Sequence, residues 1–301
     1  MHSQLQTPAA TCGARLPRVR SRSRLRLAAT RRRLGFFLIL LLATGAAGCN
    51  KLKARDRLNK GVQAYKGGQY DAAIEDFKAA KKLDPVLLNA RLYLATAYAT
   101  LYIPGAPSED NIRNGEQAVA EFREVLQMDP KNLSAIDGIA SITFNMGGQP
   151  FDPKKFEEAR EFHGKHIALK GDDPEPHYSI GVIEWTLAYA ANKKTRNEYN
   201  ATARKQVKDE EPMPTAVREK FVAEYGAVVE NGIQHLRKAM GLRQEYEDAM
   251  AYLNLLYRQR ADQVATPEER ESLLQQADDL IERVKAIKQK KMLAPSGQPQ
   301  P

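Results

Sequence analysis

The chain has 301 residues, of which 43% are apolar and 28% are charged, proportions that are typical of soluble globular proteins. This composition excludes a polytopic membrane protein and a wholly disordered chain. The formal net charge of +9 invites a nucleic-acid-binding function, so the position of the basic residues has to be considered first.

The excess positive charge lies entirely before residue 49. Nine arginines and no acidic residue occur in that segment. Subtracting these nine from the 46 basic residues leaves 37, which equals the number of acidic residues in the chain. A domain that binds nucleic acid keeps an excess of positive charge in its folded part, where it displaces phosphate counterions. We therefore expect no nucleic-acid partner.

Residues 1–48 have the parts of a secretory signal peptide with a long basic n-region. Arg31-Arg32-Arg33 precedes an uncharged apolar run that ends in small residues, and Cys49 follows directly. Ala46-Ala47-Gly48-Cys49 resembles the lipobox of bacterial lipoproteins, although those families usually have Leu where Ala46 stands. The resemblance implies cleavage before Cys49, lipidation of its thiol, and a short lipidated tether at residues 49–53.

Two alternatives remain open for the leader. Cys49 is an ordinary small residue if a general signal peptidase cleaves here, and the apolar run is a permanent anchor if it spans the membrane. The run of 15 residues is shorter than the roughly 20 that a spanning helix needs. After loss of Cys12 with the leader, Cys49 would have no partner for an internal disulfide. We predict an exported lipoprotein of the cell envelope that faces the periplasm, with Cys49 as the lipidation site.

Residues 58–85 read LNKGVQAYKGGQYDAAIEDFKAAKKLDP and resemble a tetratricopeptide repeat (TPR). Each matching residue has a physical role: small residues allow two helices to approach closely, large ones pack inward on one helical face, and glycine and proline end the helices. The matching residues are Gly61, Tyr65, Gly68, Tyr70, Ala73, Phe77, Ala80, Asp84 and Pro85.

The pattern recurs with insertions and predicts an all-α fold, a right-handed α-solenoid of about five TPR helix pairs over residues 54–290. The predicted repeats are 54–87, 88–132, 133–173, 174–246 and 247–290. An insertion at 190–224 interrupts the fourth repeat with charge-rich sequence. We expect it to form either a helical flap beside the partner groove, with helical spacing from Thr215 to Val229, or a solvated spacer. Residues 291–301 are predicted to be a disordered tail.

The resemblance implies that the first helix of each pair lines a concave groove that binds a peptide or helix of a protein partner. Aromatic residues on this side favour partner binding, because they bring a large contact area at low entropic cost, although each could instead pack between helices. The Lys/Asn clamp of chaperone-binding TPR domains is absent. The motif register places the following residues in the groove: Leu58, Val62, Tyr65, Lys66, Thr96, Asp137, Phe144, Asn145, Tyr178, Trp185 and Arg258.

The chain shows no glycine-rich phosphate loop, G-x-S-x-G or H-E-x-x-H motif, so no catalytic residues are predicted. We predict a non-enzymatic, lipid-anchored envelope adaptor without cofactor or metal, which contacts the membrane through its lipid. The alternative is an exported enzyme or metal-binding accessory protein that uses His163 and His166. These two histidines lie three residues apart on one helical face, but they occupy positions where the motif packs apolar residues.

Overall fold

The structure is a computed structural model that describes residues 49–209 and 211–293. The predicted signal peptide, 1–48, and residues 294–301 of the predicted tail lie outside the described residues. Backbone contacts divide the chain into two units, Met1–Lys53 and Ala54–Pro301. Of the first unit only residues 49–53 are described, and these are helical and largely exposed, where the sequence predicted a tether. The second unit contains the solenoid.

The described residues contain ten α-helices and no β-strand. Consecutive helices pack on one another along the whole second unit, which forms a solenoid of five helix pairs. The prediction of an all-α solenoid is therefore confirmed. The helices are α1 (49–66), α2 (Tyr70–Leu83), α3 (Leu88–Leu101), α4 (Glu109–Met128), α5 (Leu133–Met146), α6 (Pro153–Leu169), α7 (Pro174–Thr202), α8 (Thr215–Leu242), α9 (Glu247–Ala261) and α10 (Pro267–Leu293).

Short polar side chains begin several of these helices. The side chains of Ser108, Asn132, Asp152 and Asp173 each accept a hydrogen bond from a backbone N–H in the first turn of the following helix. Thr266 does the same at α10, where it accepts from the N–H of Glu269 at 3.2 Å. Such capping satisfies backbone donors that have no partner inside the helix, so these residues fix where α4, α5, α6, α7 and α10 begin.

Glycine and alanine allow the two helices of a pair to approach closely. A Cβ atom added to Gly61 would overlap the Phe77 ring, and one added to Gly181 would overlap Leu236. Ala73, on the facing helix of the first pair, is fully buried. The same arrangement of a small residue against a large one thus recurs in the first and fourth pairs, as the repeat motif predicts.

The buried core is continuous along the solenoid. One cluster of buried apolar side chains is formed mainly by α2 to α6, and a second by α7 to α10. Phe156, Ala159 and Ile183 form a smaller cluster between them, against which Phe144 and Leu187 pack. Each pair therefore buries its apolar face against its neighbours. No helix within residues 49–209 and 211–293 is both long and apolar enough to span a membrane.

Most of the insertion at 190–224 is helical. Its first part continues α7 to Thr202, and its last part begins α8 at Thr215, so both helices of the fourth pair extend beyond the length of a repeat. Asn192, Arg196 and Met213 are buried. Buried Arg196 and the buried apolar side chains of Met213 and Phe221 together form the interior of this segment.

The last helix is also longer than predicted. α10 continues to Leu293, three residues into the predicted tail 291–301, and Lys290 and Lys291 form ion pairs with Glu245 and Glu247 at the start of α9. These contacts supply partners for the last turn of the helix, although Met292 and Leu293 themselves are exposed.

Candidate functional site

Five aromatic rings form a connected cluster on α7 and α9, which we call the aromatic cluster. Trp185 and Tyr189 stack with their ring centroids 5.2 Å apart, and Tyr252 meets the edge of Trp185 at 5.4 Å. Tyr178 continues the cluster, with centroids 5.8 Å from Tyr252 and 5.2 Å from Tyr246. Tyr189 is 46% exposed, so the cluster presents aromatic surface to a ligand at the Trp185 end.

A cavity of about 480 Å³ opens at this end of the cluster, and we call it the Trp185 cavity. Aromatic and aliphatic side chains of α7, α9 and α10 supply its apolar walls, and charged and amide groups supply the rest. Its lining residues are Trp185, Tyr189, Asp209, Leu255, Arg258, Gln259, Asp262, Arg270 and Leu274. Concave, largely apolar sites with a few polar groups are the usual form of a binding site.

Arg196 fixes the segment 203–214, which contributes Asp209 to the cavity. Its side chain is 6% exposed and donates to the carbonyl oxygens of Lys208 and Glu211 at 2.8 and 2.9 Å. It also donates to the Asp262 carboxylate at 3.0 Å and to the Asn192 amide oxygen at 3.0 Å. Because these bonds join the segment to the end of α9, one wall of the cavity is held by a buried charge-assisted network.

The charged groups of the site are mostly paired. Arg258 donates to Asp278 at 2.5 Å and to the Asn254 amide at 3.0 Å. Burial raises the pKa of Asp262, and the Arg196 guanidinium opposes that increase. Burial, together with the nearby carboxylates Asp248 and Glu175, raises the pKa of Tyr178 to about 12.

A second cavity, of about 430 Å³, lies between the extensions of α7 and α8. Its lining alternates basic and acidic side chains, Lys194 and Lys220 with Glu198 and Glu224, around Phe221. It does not include the aromatic cluster or any residue predicted for the groove. We therefore take the Trp185 cavity as the candidate site.

The structure brings together three of the predicted groove residues, Tyr178, Trp185 and Arg258. Phe144, by contrast, packs on buried Phe156 with centroids 5.4 Å apart. Asp137 is bound to the Nδ1 atom of His166 at 2.6 Å. Both side chains therefore have partners within the fold. For Phe144 this is the alternative in which an aromatic residue packs between helices.

The predicted residues of the first two repeats lie along α1 and α3. Leu58, Val62 and Tyr65 are partly buried against the first core cluster, and the Tyr65 hydroxyl shares a 2.8 Å hydrogen bond with that of Thr100. The remaining predicted positions are Thr96, whose hydroxyl donates to the Leu92 carbonyl at 2.8 Å, exposed Lys66 and partly buried Asn145.

The two histidines of the alternative metal site have different surroundings. His166 is buried between the carboxylates of Asp137 and Asp173, at 2.6 and 3.5 Å. Burial lowers the pKa of His163 to about 4. Throughout the part of the chain that the structure describes, no group of three or more His, Cys, Asp or Glu side chains is placed to hold a metal ion.

No protein-family model matches the chain, and no curated protein matches it. The crystal structure of MamA protein aligns with a TM-score of 0.53 and 14% identity, over 82% of this chain and 98% of that one. The MamA RS-1 ArsTM double mutant aligns with a TM-score of 0.52 and 14% identity, over 81% and 98%. The chain has a TPR fold. YrrB, a TPR protein with an unusual peptide-binding site, has a TM-score of 0.49 and 12% identity, over 82% and 97%.

Several residues of the site were not predicted from the TPR register. Tyr189 follows Trp185 by one helical turn, a spacing that could have identified it. On α9, Tyr252 carries the ring that contacts Trp185, and it was not among the predicted groove residues. No feature of the sequence indicated Asp209 or Gln259 as residues of the site. Asp209 lies in an irregular segment outside the repeat, and Gln259 is a buried amide.

Proposed function

We propose that the protein is a non-enzymatic adaptor that binds a protein partner on the first-helix side of its TPR solenoid, at the aromatic cluster and the Trp185 cavity. The observation that carries this proposal is the partly exposed stack of Trp185 on Tyr189 beside the cavity. Aromatic side chains are concentrated where proteins bind one another, since they bury a large area and lose few rotamers on binding.

The position of the site in the fold supports the proposal. The rings come from the first helices of the fourth and fifth pairs, and the cavity is closed by α10 and by the segment that Arg196 fixes. A wall held by a buried network loses little conformational entropy when a ligand binds. The partner site is therefore concentrated at the last two pairs, not spread along all five.

We further propose that the adaptor is a lipoprotein of the cell envelope, anchored through Cys49 and facing the periplasm. Cys49 is a free, exposed cysteine, as a lipid attachment site requires. Attachment to a membrane would hold the partner site near that membrane.

Site-specific photo-crosslinking tests the partner site. A benzoylphenylalanine in place of Tyr189 should yield an adduct with the partner in cells that produce the protein. The same residue in place of Phe151, which is also an exposed aromatic (48%) but lies in the turn between α5 and α6, should yield none.

Trp185→Ala should abolish the adduct from position 189, since it removes the central ring of the cluster. The thermal melting curve of the variant shows whether the fold is kept. Equal adducts from positions 189 and 151, or an adduct from 189 that survives Trp185→Ala in a folded protein, would contradict the proposed site.

A further inference from the structure

Two carboxylates beside the aromatic cluster form no ion pair with any residue that the structure describes. Asp209 is exposed at the Trp185 cavity, and Asp248 lies close enough to Tyr178 to act on its hydroxyl. Within residues 49–209 and 211–293, neither forms an ion pair or a side-chain hydrogen bond. The other carboxylates around the site are engaged: Glu175 with Arg243 at 2.6 Å, Asp278 with Arg258, and Asp262 with Arg196.

Three other groups of the cavity are suited to a cation that donates hydrogen bonds: the rings of Trp185 and Tyr189 and the amide of Gln259. The faces of tryptophan and tyrosine rings attract a cation electrostatically, and Trp185 and Tyr189 both line the cavity. Gln259, a lining residue that is only 9% exposed, has a buried Oε1 atom with no hydrogen-bond donor. A buried acceptor without a donor is unfavourable, so a ligand that brings donors to this wall is preferred over one that brings acceptors.

We infer that the partner presents a basic side chain, arginine or lysine, which enters the Trp185 cavity against Trp185 and pairs with the Asp209 carboxylate. This inference rests on the proposed function and names the chemistry of its partner. Arg258 on the same wall does not repel such a ligand strongly, because Asp278 neutralises it at 2.5 Å. Arg270, the second arginine of the lining, lies 3.8 Å from the Asp262 carboxylate. Both arginines of the lining therefore face carboxylates, whereas the Asp209 carboxylate forms no ion pair within residues 49–209 and 211–293.

The position of Asp209 depends on Arg196. Asp209 lies between the two residues whose carbonyl oxygens accept from the Arg196 guanidinium, Lys208 and Glu211. The buried arginine thus acts as a positioning residue that holds a carboxylate at the mouth of the cavity, and it does so through backbone bonds that leave the Asp209 side chain exposed.

The test uses the fluorescence of Trp185, which is the only tryptophan of the chain and therefore reports on this cavity alone. The probe is N-acetyl-argininamide, titrated at constant ionic strength, and its matched control is N-acetyl-citrullinamide, a neutral molecule of nearly the same shape. We expect saturable quenching by the arginine probe and a clearly weaker effect of the citrulline probe. Equal responses to the two probes, or no response to the arginine probe, would overturn the inference.

Asp209→Asn should weaken binding of the arginine probe by about three- to fivefold, which is the loss expected for one of the stronger solvent-exposed ion pairs. The same variant should leave the citrulline titration unchanged. The matched control is Glu161→Gln, which removes an exposed carboxylate on α6 that lies outside the site. An effect of Glu161→Gln equal to that of Asp209→Asn would overturn the inference, because it would reduce the binding to general electrostatic attraction.

The outcome for the inference can be separated from that for the proposed function. If arginine and citrulline probes bind equally while the crosslink at position 189 still requires Trp185, the partner uses this surface without a basic side chain, and only the inference is wrong. If the crosslink is absent while the arginine probe binds selectively, the cavity has the chemistry described but not the partner, and the proposed function is wrong.

Discussion

Ala73 shows how a single side chain sets the distance between two helices. It is fully buried at the contact between α1 and α2, within the first core cluster, where additional methyl groups have no space. Ala73→Leu should lower the free energy of unfolding by about 1–3 kcal/mol through overpacking, measured by chemical or thermal denaturation. Ala72→Leu is the matched control, because Ala72 is the exposed neighbour on the same helix and its substitution should change stability by no more than about 0.5 kcal/mol. Equal effects would contradict the packing described here.

Residues of this kind could be predicted from the sequence, and Arg196 could not. Gly61, Ala73 and Phe77 are recognisable because their roles depend on neighbours at fixed distances in one repeat. Arg196 was assigned to a charge-rich insertion, and its partners are two backbone carbonyls 12 and 15 residues ahead and a carboxylate 66 residues ahead. No local pattern specifies such contacts. The one available signal was Ala188, Asn192 and Arg196 at intervals of four, a single face of α7 that is buried throughout.

At the scale of elements, α7 and α8 are joined by a pair of histidines that titrate below the usual range. His177 and His235 share a hydrogen bond between their Nδ1 atoms at 2.9 Å. Burial lowers the pKa of both, that of His235 to about 4, whereas an unfolded histidine titrates near about 6.5. Between these values the unfolded chain binds more protons than the folded chain. The free energy of unfolding should therefore decrease as the pH falls from about 6.5 towards about 4.

His235→Gln removes one of these titrations. Between about pH 7 and pH 4.5 the melting temperature of the variant should decrease less than that of the wild type, because an amide does not bind a proton in this range. Comparing the pH dependence, and not the melting temperature at one pH, separates this effect from any loss of packing. A variant whose melting temperature falls with pH as steeply as that of the wild type would show that the pair does not contribute.

The helix pairs were predictable because each repeat carries its own turn and packing residues. The extensions of α7 and α8 in the fourth pair were not predictable in this way. Helical spacing from Thr215 to Val229 indicated the start of α8 correctly, but the same pattern could not show that α8 continues without a break into the second helix of the repeat. The candidate site was predicted in part for the same reason. Tyr178, Trp185 and Arg258 follow from the register, whereas the wall with Asp209 depends on how an irregular segment folds back.

At the scale of the whole molecule, the residues that stabilise the first helix pair and those of the proposed partner site lie in different parts of the solenoid. The first core cluster contains Ala73, the second includes four of the five rings of the aromatic cluster, and a small group around Phe156 lies between them. In such a fold each repeat interacts mainly with its neighbours. A substitution that weakens the first pair should therefore leave the Trp185 cavity intact, and the two kinds of variants proposed above test independent properties.

The proposed lipid anchor is a property of the whole molecule, because it would determine where in the cell the solenoid acts. Cys49 is free and exposed, and the predicted leader before it lies outside the described residues. Cys49→Ser should move the protein from the membrane fraction to the soluble fraction and retain the uncleaved leader or shift the cleavage site. The reason is that two or more acyl chains, each worth about 0.8 kcal/mol per buried methylene, supply stable attachment that a serine cannot carry. Cys12→Ser is the matched control, because Cys12 would be removed with the leader and its substitution should change neither fraction nor length. A Cys49→Ser protein that stays in the membrane fraction at the wild-type length would show that this cysteine is not the anchor.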